Sequence, residues 1–257
     1  MTTTTTTRIL RDIVGLPHLS PLWNNVCSSL LTVVYMKICL EISFHFRIRW
    51  HTSQKARRFA HISDAFIIMF WPLFDTHHWS WRLNVLVPVV MAVRIFYKGA
   101  ILRNPDDEDV RIMSHSSSPS ELLYGPLQYK ILVIVVGLYR FMSPEGAIIV
   151  AAVGIGDGLA PAVGQNYGRH IYQMPLSNAK TLEGSVTVFM GTVVGIYLYF
   201  YMLGLTPILP LRMTLAYGAV AACVEGSTPG MLDNIVVPLA LHFSIERVKE
   251  WEWMLPP

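Results

Sequence analysis

The sequence predicts an all-α fold, a multi-pass transmembrane helical bundle with about seven to eight spans. Of the 257 residues, 53% are hydrophobic and only 14% are charged, whereas soluble domains usually carry about 25% charged residues. The apolar residues fall in blocks of roughly 17 to 25, the length that crosses a bilayer as a helix. The chain is therefore expected to lie in the lipid bilayer.

Eight apolar segments are predicted to be membrane helices. The second and the last are short and are compatible with a re-entrant or tilted helix, which is why the count is seven to eight. All eight belong to one predicted domain, residues 21–246, with a polar N-terminal tail over 1–20 and a short C-terminal tail over 247–257. The segments are 22–46, 60–74, 82–102, 122–141, 146–163, 185–204, 208–224 and 235–246.

Positive charge is concentrated in alternate loops between these segments. The loops after the first, third and fifth segments hold most of the basic residues, including Lys55, Arg103 and Arg169. The positive-inside rule places these loops in the cytosol or stroma, where nucleotides are found. The net charge of +3 and the lack of a basic-aromatic patch predict no nucleic-acid partner. The acid run in the loop at 104–119 is predicted to be a solvated connector rather than a metal site.

An acidic glycine cluster lies inside the fifth segment. Asp157 stands between Gly156 and Gly158, and an aspartate deep in apolar sequence is costly in lipid, so it is a candidate functional residue. Glycines let a ligand approach the backbone closely, and a carboxylate here is suited to hold Mg²⁺ on a triphosphate. The alternative is a glycine-rich helix-packing surface, which explains the glycines but gives Asp157 no role.

A lysine loop follows the glycine cluster and leads into the sixth segment. Lys180 supplies a point charge for phosphate, and the helix that begins near Gly184 and Ser185 favours anions at its N-terminus. A lysine that marks the membrane boundary is the alternative interpretation. Glu183 fits a capping acid and a metal ligand equally well.

Further polar residues lie at the ends of other segments. Glu225 ends an apolar run, and Asp233 and Asn234 directly precede the last segment. Asp233 is suited to cap that helix, or to share magnesium with carboxylates from other loops on the same face. For Arg57 and Arg58, at the entrance of the second segment, anchoring at the membrane boundary is the simpler interpretation. The remaining candidates, at the entrances of the second and fourth segments, are Arg57, Arg58, His61 and Glu121.

Taken in order, these residues resemble the motifs of the polyprenol kinase family, which includes dolichol kinase and the plant phytol and farnesol kinases. The resemblance runs from about Arg57 to Leu239. Two positions depart from the phytol-kinase pattern: Pro161 stands where an acid is usual, and Tyr124 where a basic residue is usual. The matching motifs are Arg57-Arg58 with His61-Ile62, Glu121-Leu122-Leu123 with Gly125-Pro126-Leu127 and Tyr129, Gly156-Asp157-Gly158 with Ala160, Gly164, Gly168, Lys180, Gly184-Ser185, Glu225, Asp233-Asn234 and Val237-Pro238.

The resemblance implies a membrane enzyme, with residues 21–246 as its catalytic domain, that uses CTP and Mg²⁺ to phosphorylate an isoprenoid alcohol such as phytol, farnesol or geranylgeraniol. Phytol specificity would imply a chloroplast membrane, and another alcohol the endoplasmic reticulum. The implied catalytic residues are Asp157, Lys180 and Asp233. The implied metal ligands are Asp157, Glu225 and Asp233. The implied nucleotide-binding residues are Gly156, Gly158, Gly164, Gly168, Lys180, Thr181, Gly184 and Ser185. Substrate or supporting roles fall to Arg57, Arg58, His61, Glu121 and Asn234.

Two other functions use similar sequence features. A cytidylyltransferase that acts on a lipid phosphate needs the same nucleotide and metal groups. A small-solute transporter would use the interrupted fifth segment and Asp157 to line a passage, but such transporters often show paired interruptions in two related halves. This chain has one interrupted segment and no evident repeat, which favours the enzyme.

Overall fold

The computed structural model describes residues 19–50, 53–114, 116–175, 177–230 and 232–254, and almost all of them are helical. Most of the predicted N-terminal tail, residues 1–18, lies outside the described residues. The chain divides into two compact units. The first extends to Met142 and includes Tyr199–Thr206, and the second comprises Ser143–Leu198 and the segment from Pro207 onwards.

The first unit is built around a long N-terminal helix. Helix α1 (Pro21–Trp50) packs against α2 (Ser53–Ala65) and against both 3₁₀ segments that follow it. Helix α3 (Leu86–Phe96) packs against α5 (Glu121–Tyr139). Asn24 and Asn25, buried on α1, satisfy backbone groups where the first 3₁₀ segment ends: Asn24 Nδ2 donates to Leu73 O at 2.8 Å, and Asp75 N donates to Asn25 Oδ1 at 2.6 Å. The elements are α1 (Pro21–Trp50), α2 (Ser53–Ala65), 3₁₀ segments (Phe66–Leu73 and Trp79–Val85), α3 (Leu86–Phe96), a π-helical turn (Tyr97–Leu102), α4 (Glu108–Met113) and α5 (Glu121–Tyr139).

The acidic loop of this unit, predicted as a solvated connector, is solvated only in part. Asp109 is buried and accepts hydrogen bonds from Arg94 at 2.6 and 3.0 Å, and Lys98 Nζ lies 2.8 Å from the same carboxylate. Asp107 is the N-cap of α4 (Glu108–Met113) and accepts a hydrogen bond from the backbone N–H of Asp109 at 2.9 Å. Asp107 and Asp109 therefore pair with basic residues at the end of the preceding segment and anchor this part of the loop, whereas Asp106 is exposed.

The second unit contains the acidic glycine cluster and the lysine loop. The Ser143 hydroxyl caps α6 (Pro144–Val150) by accepting a hydrogen bond from Gly146 N at 3.1 Å. A π-helical turn ends directly before Asp157. A short antiparallel hairpin pairs Ile171 with Thr181 and Tyr172 with Lys180. The elements are α6 (Pro144–Val150), the π-helical turn (Ala151–Gly156), α7 (Asp157–Tyr167), β1 (Ile171–Tyr172), β2 (Lys180–Thr181), α8 (Leu182–Leu203, whose last residues belong to the first unit), α9 (Leu211–Ser227) and α10 (Asp233–Met254).

Five helical stretches of the described chain are long and apolar enough to cross a membrane. They are Pro21–Arg47, Trp79–Leu102, Glu121–Tyr139, Pro144–Tyr167 and Leu182–Leu203, and they coincide with five of the eight predicted segments. The predicted segments at 60–74, 208–224 and 235–246 also fall largely on helical residues, namely α2 with the following 3₁₀ segment, α9 and α10. The helix α10 continues to Met254, through the start of the predicted C-terminal tail. The helical membrane fold is confirmed.

Candidate active site

A polar pocket lies within the second unit, where α7, the hairpin, the start of α8 and the ends of α9 and α10 meet. Its volume is about 370 Å³. The chain brings charged residues here from three separate sequence regions because α7, β2 and the turn between α9 and α10 reach the same place. The residues that line it are Asp157, Ala160, Pro161, Gly164, Gln165, Asn178, Ala179, Lys180, Thr181, Gly184, Ser185, Glu225, Gly230 and Asp233.

The pocket collects all three residues implied to be catalytic and all three implied metal ligands. Five of the eight implied nucleotide-binding residues line it as well. Asn234 is buried beside Asp233 but does not line the pocket. The predicted residues that line the pocket are Asp157, Gly164, Lys180, Thr181, Gly184, Ser185, Glu225 and Asp233, and those of the second unit that do not are Gly156, Gly158, Gly168 and Asn234.

Lys180 is held by the end of α9. Its Nζ donates to a side-chain oxygen of Glu225 and, at 2.5 Å, to the backbone carbonyl oxygen of the same residue. The side chains of Lys180 and Glu225 are only 15% and 10% exposed, so water screens this ion pair little. The carboxylate of Glu225, predicted as a metal ligand, orients the lysine in this structure.

Asp157 and Asp233 are the other two charged residues of the pocket. Asp157 is the first residue of α7 and Asp233 the first of α10, where its Oδ1 accepts from Asn234 N at 2.8 Å. Burial raises the pKa of Asp233 to about 7, the negative charge of Asp157 contributes to the rise, and Lys180 opposes it. The two carboxylates therefore repel each other when both are ionised, and a cation between them would relieve that repulsion.

This pair of carboxylates suits Mg²⁺. No three His, Cys, Asp or Glu side chains of the described residues form a ready metal site, so Asp157, Glu225 and Asp233 do not make a complete cage. Magnesium, however, is usually bound by one or two carboxylates together with substrate phosphates and water. Asp157 and Asp233 match that donor set, whereas Glu225 is already paired with Lys180.

The glycines of the site are explained by close packing. A Cβ on Gly156 would lie 2.6 Å from Thr192 Oγ1 and 2.9 Å from Val188 O, both on α8. A Cβ on Gly164 would lie 2.7 Å from Thr181 Oγ1, so this glycine lets α7 approach the hairpin. The helix-packing interpretation of the glycine cluster therefore holds for Gly156, while Asp157 next to it lines the pocket.

The other predicted residues belong to the first unit. Arg57, Arg58 and His61 lie on α2, where the His61 ring packs against Tyr129 with centroids 4.4 Å apart. Glu121 begins α5 and accepts from Ser116 N at 3.2 Å. Their substrate or supporting roles stay predictions.

Some features of the site were missed or left open in the sequence. Gln165 on α7 and Asn178 in the loop before β2 line the pocket, although nothing in their local sequence distinguishes them from ordinary surface amides. Tyr172 also escaped notice, and only its pairing with Lys180 in the hairpin would have indicated it. Glu183, considered as a cap or a metal ligand, lies 2.8 Å from His170 Nδ1 through Oε1.

The fold and the pocket define a helical membrane protein whose polar site combines two carboxylates with an ion-paired lysine. Comparison with known proteins confirms the predicted resemblance: the chain is similar to plant proteins named phytol kinase and farnesol kinase. No family model matches the chain.

Three relatives illustrate the similarity. The probable phytol kinase 1, chloroplastic, of Glycine max is 32% identical over 72% of this chain and 64% of its own length. The phytol kinase 1, chloroplastic, of Arabidopsis thaliana is 27% identical over 78% of this chain and 69% of its length. The farnesol kinase, chloroplastic, of Arabidopsis thaliana is 28% identical over 69% of this chain and 59% of its own length. The chain spans less than two thirds of the length of the probable phytol kinases of Glycine max, Oryza sativa and Zea mays. The shares are 64%, 61% and 63% of their lengths.

Proposed function

We propose that this protein is an isoprenoid alcohol kinase that transfers the γ-phosphoryl group of CTP to phytol, farnesol or geranylgeraniol. The observation that carries the proposal is the pocket of the second unit, where Lys180, Asp157 and Asp233 converge from three sequence regions. Phosphoryl transfer depends mainly on positioning and on neutralising charge. A lysine and two carboxylates suited to Mg²⁺ are the groups that this chemistry needs, and the relatives' names supply the class of acceptor.

Some residues of the pocket act on the triphosphate and others on the metal. Lys180 neutralises charge on the transferring phosphoryl group, and its pairing with Glu225 fixes the position of its ammonium group. Asp157 and Asp233 hold Mg²⁺, which supplies charge neutralisation on the phosphate oxygens when it is bound. The hydroxyls of Thr181 and Ser185 are available as hydrogen-bond donors to phosphate.

The reaction exchanges one phosphorus–oxygen bond for another and releases the alcohol proton to water. The alcohol oxygen bonds to the γ-phosphorus, the bond from that phosphorus to the oxygen bridging it to the β-phosphate breaks, and the alcohol proton leaves. The products are the isoprenyl monophosphate and CDP. The alcohol's hydroxyl must reach the polar pocket while its hydrocarbon chain stays in an apolar environment, which a protein with membrane-length helices provides.

The direct test is an assay of the purified protein with γ-labelled CTP, Mg²⁺ and a panel of phytol, farnesol, geranylgeraniol and dolichol. We expect label in a lipid monophosphate, and we expect EDTA to abolish it because the two carboxylates repel the phosphates when no Mg²⁺ lies between them. A parallel assay with α-labelled CTP and a lipid phosphate separates the cytidylyltransferase alternative, which would place that label in the lipid. Absence of γ-label transfer to every alcohol would reject the kinase.

We also propose that the chain crosses the membrane seven to eight times, with the loops that contain Lys55 and Asp106 on the nucleotide side. The helical character of the segments at 60–74, 208–224 and 235–246 supports the higher count. If the segment at 60–74 crosses, the loops before it and after the third segment share one face, as their basic residues indicate. If it is re-entrant, those two loops lie on opposite faces.

Labelling single cysteines from one side of the membrane tests this arrangement. In a background without Cys27, Cys39 and Cys223, we expect Lys55→Cys and Asp106→Cys to react with an impermeant maleimide from the same side of sealed vesicles. The exposed His77, in the intervening loop, is expected to react as His77→Cys only from the other side. Reaction of Lys55→Cys and Asp106→Cys from opposite sides would show that the segment at 60–74 does not cross.

We propose a chloroplast membrane as the location. The relatives named as phytol kinases and the relative named as a farnesol kinase are all called chloroplastic, so the expected assignment of farnesol specificity to the endoplasmic reticulum loses its basis. Fractionation of plant cells that express the tagged protein, with markers for both membranes, tests the location.

A further inference from the structure

Tyr172 connects the hairpin to the start of α8. It lies on β1 directly opposite Lys180 of β2, and its hydroxyl is 2.5 Å from the hydroxyl of Ser185. Ser185 lines the pocket, whereas Tyr172 does not. The phenol of Tyr172 therefore fixes the orientation of the Ser185 hydroxyl from a position outside the pocket.

The same hydroxyl lies against the end of α9. A Cβ on Gly226 would be only 2.6 Å from the Tyr172 oxygen and 3.6 Å from its Cζ, so the phenol occupies the space that a side chain would fill. Gly226 follows Glu225, whose carboxylate and carbonyl hold Lys180. One phenol thus contacts the two elements, α8 and α9, that present Ser185 and Glu225 to the pocket.

We propose that Tyr172 is a positioning residue for the nucleotide phosphates. The inference rests on the proposed function. Tyr172 holds the Ser185 hydroxyl in one orientation and, through its place beside Gly226, keeps the end of α9 at the distance at which Glu225 pairs with Lys180. Its loss leaves every pocket residue present but less well placed. Replacing Tyr172 by phenylalanine keeps the ring beside Gly226 and removes only the bond to the Ser185 hydroxyl. Because Ser185 contacts phosphate in the bound and reacting states alike, this change raises KM for CTP and leaves kcat nearly unchanged.

The test compares Tyr172→Phe with Tyr167→Phe, which removes a hydroxyl from an exposed tyrosine of the same unit. For Tyr172→Phe we expect KM for CTP to rise about three- to tenfold, the range that loss of one hydrogen bond produces, with kcat within twofold and KM for the alcohol unchanged. Tyr167→Phe should match the wild type. Gly226→Ala, which displaces the phenol, should raise KM for CTP in the same direction.

A double variant separates positioning from a general structural effect. If Tyr172 acts through Ser185, adding Tyr172→Phe to Ser185→Ala should raise KM for CTP less than it does in the wild type, because the partner is already absent. Additive effects would overturn the inference. An unchanged KM for CTP in Tyr172→Phe, with an active wild type, would overturn it and leave the kinase standing.

Equilibrium dialysis of labelled CTP distinguishes failure of the inference from failure of the kinase. If the wild type phosphorylates none of the alcohols, the kinase proposal is rejected, and the Kd for CTP becomes the readout. A Kd weakened about three- to tenfold in Tyr172→Phe would support the positioning role. A Kd equal to that of the wild type would overturn it.

Discussion

Replacing Asp157 by asparagine is expected to reduce phosphoryl transfer about 10²- to 10³-fold, the loss seen when one electrostatic group is removed from a catalytic site. Asparagine has nearly the same size, so the packing of α7 is retained while the negative charge is lost. With one carboxylate gone, only Asp233 remains of the two carboxylates proposed for Mg²⁺. The measurement is kcat/KM with γ-labelled CTP and the preferred alcohol at saturating Mg²⁺.

The matched control is Asp106→Asn, which makes the same change at an acid outside the pocket. The side chain of Asp106 is 80% exposed and pairs with Arg111, and such surface pairs contribute little. We expect its activity and melting temperature to equal those of the wild type. A loss of less than tenfold in Asp157→Asn, with the control unchanged, would remove Asp157 from the catalytic role.

Elevated Mg²⁺ gives a second readout for the same variant. If Asp157 holds the metal, raising the Mg²⁺ concentration should recover part of the activity of Asp157→Asn, because weaker binding is offset by mass action. If Asp157 only shapes the pocket, the residual activity should not depend on added Mg²⁺. The two roles therefore predict different titration curves for one protein.

The charged residues of the site were predictable from the sequence because each is out of place in its surroundings. Asp157 lies within an apolar segment, and Lys180 and Asp233 lie at the boundaries of two others, so the cost of burying charge marks all three. The placement of Glu225 against Lys180 was not predictable. The two residues are 45 positions apart, and their contact depends on how the hairpin meets the end of α9, which local patterns do not encode.

Contacts between residues that are distant in sequence also explain the features that the sequence did not predict correctly. The acids at 106–109 look solvated when read alone, but Arg94 and Lys98 at the end of the preceding segment pair with Asp107 and Asp109. The nucleotide-binding role of Gly156 stays a prediction, and the structure adds that its missing side chain makes room for α8. Helices were predictable from local periodicity and length, whereas the partners of polar groups depend on tertiary packing.

A buried ion pair between two helices of the first unit was not predicted at all. Asp64 on α2 and Lys130 on α5 are each only 4% exposed, and Lys130 Nζ donates to Asp64 Oδ2. The other carboxylate oxygen, Oδ1, has no hydrogen-bond partner among the described residues. His61 and Tyr129, whose rings are in contact, lie close in sequence to the two charges, so the pair fixes α2 against α5 where these rings meet.

Removing only one partner of this pair is expected to destabilise the protein by about 3–5 kcal/mol, because the other charge is left buried without a counter-ion. At roughly 2–4 °C per kcal/mol for a chain of this size, the midpoint of thermal unfolding of Asp64→Leu in detergent should fall by about 10 °C. Tryptophan fluorescence measures this. The exposed pair of Asp106 and Arg111 is the comparison, and Asp106→Asn should leave the midpoint unchanged.

The double variant Asp64→Leu/Lys130→Met decides what the pair contributes. Replacing both charges by apolar groups removes the cost of burying them, so we expect the midpoint to recover most of its loss and to approach that of the wild type. Stability that stays low in the double variant would mean that the pair itself, rather than the cost of an unpaired charge, holds α2 against α5. If the midpoint recovers but kinase activity does not, the charges serve the reaction, since an intramembrane ion pair that adds no stability is expected to have a functional role.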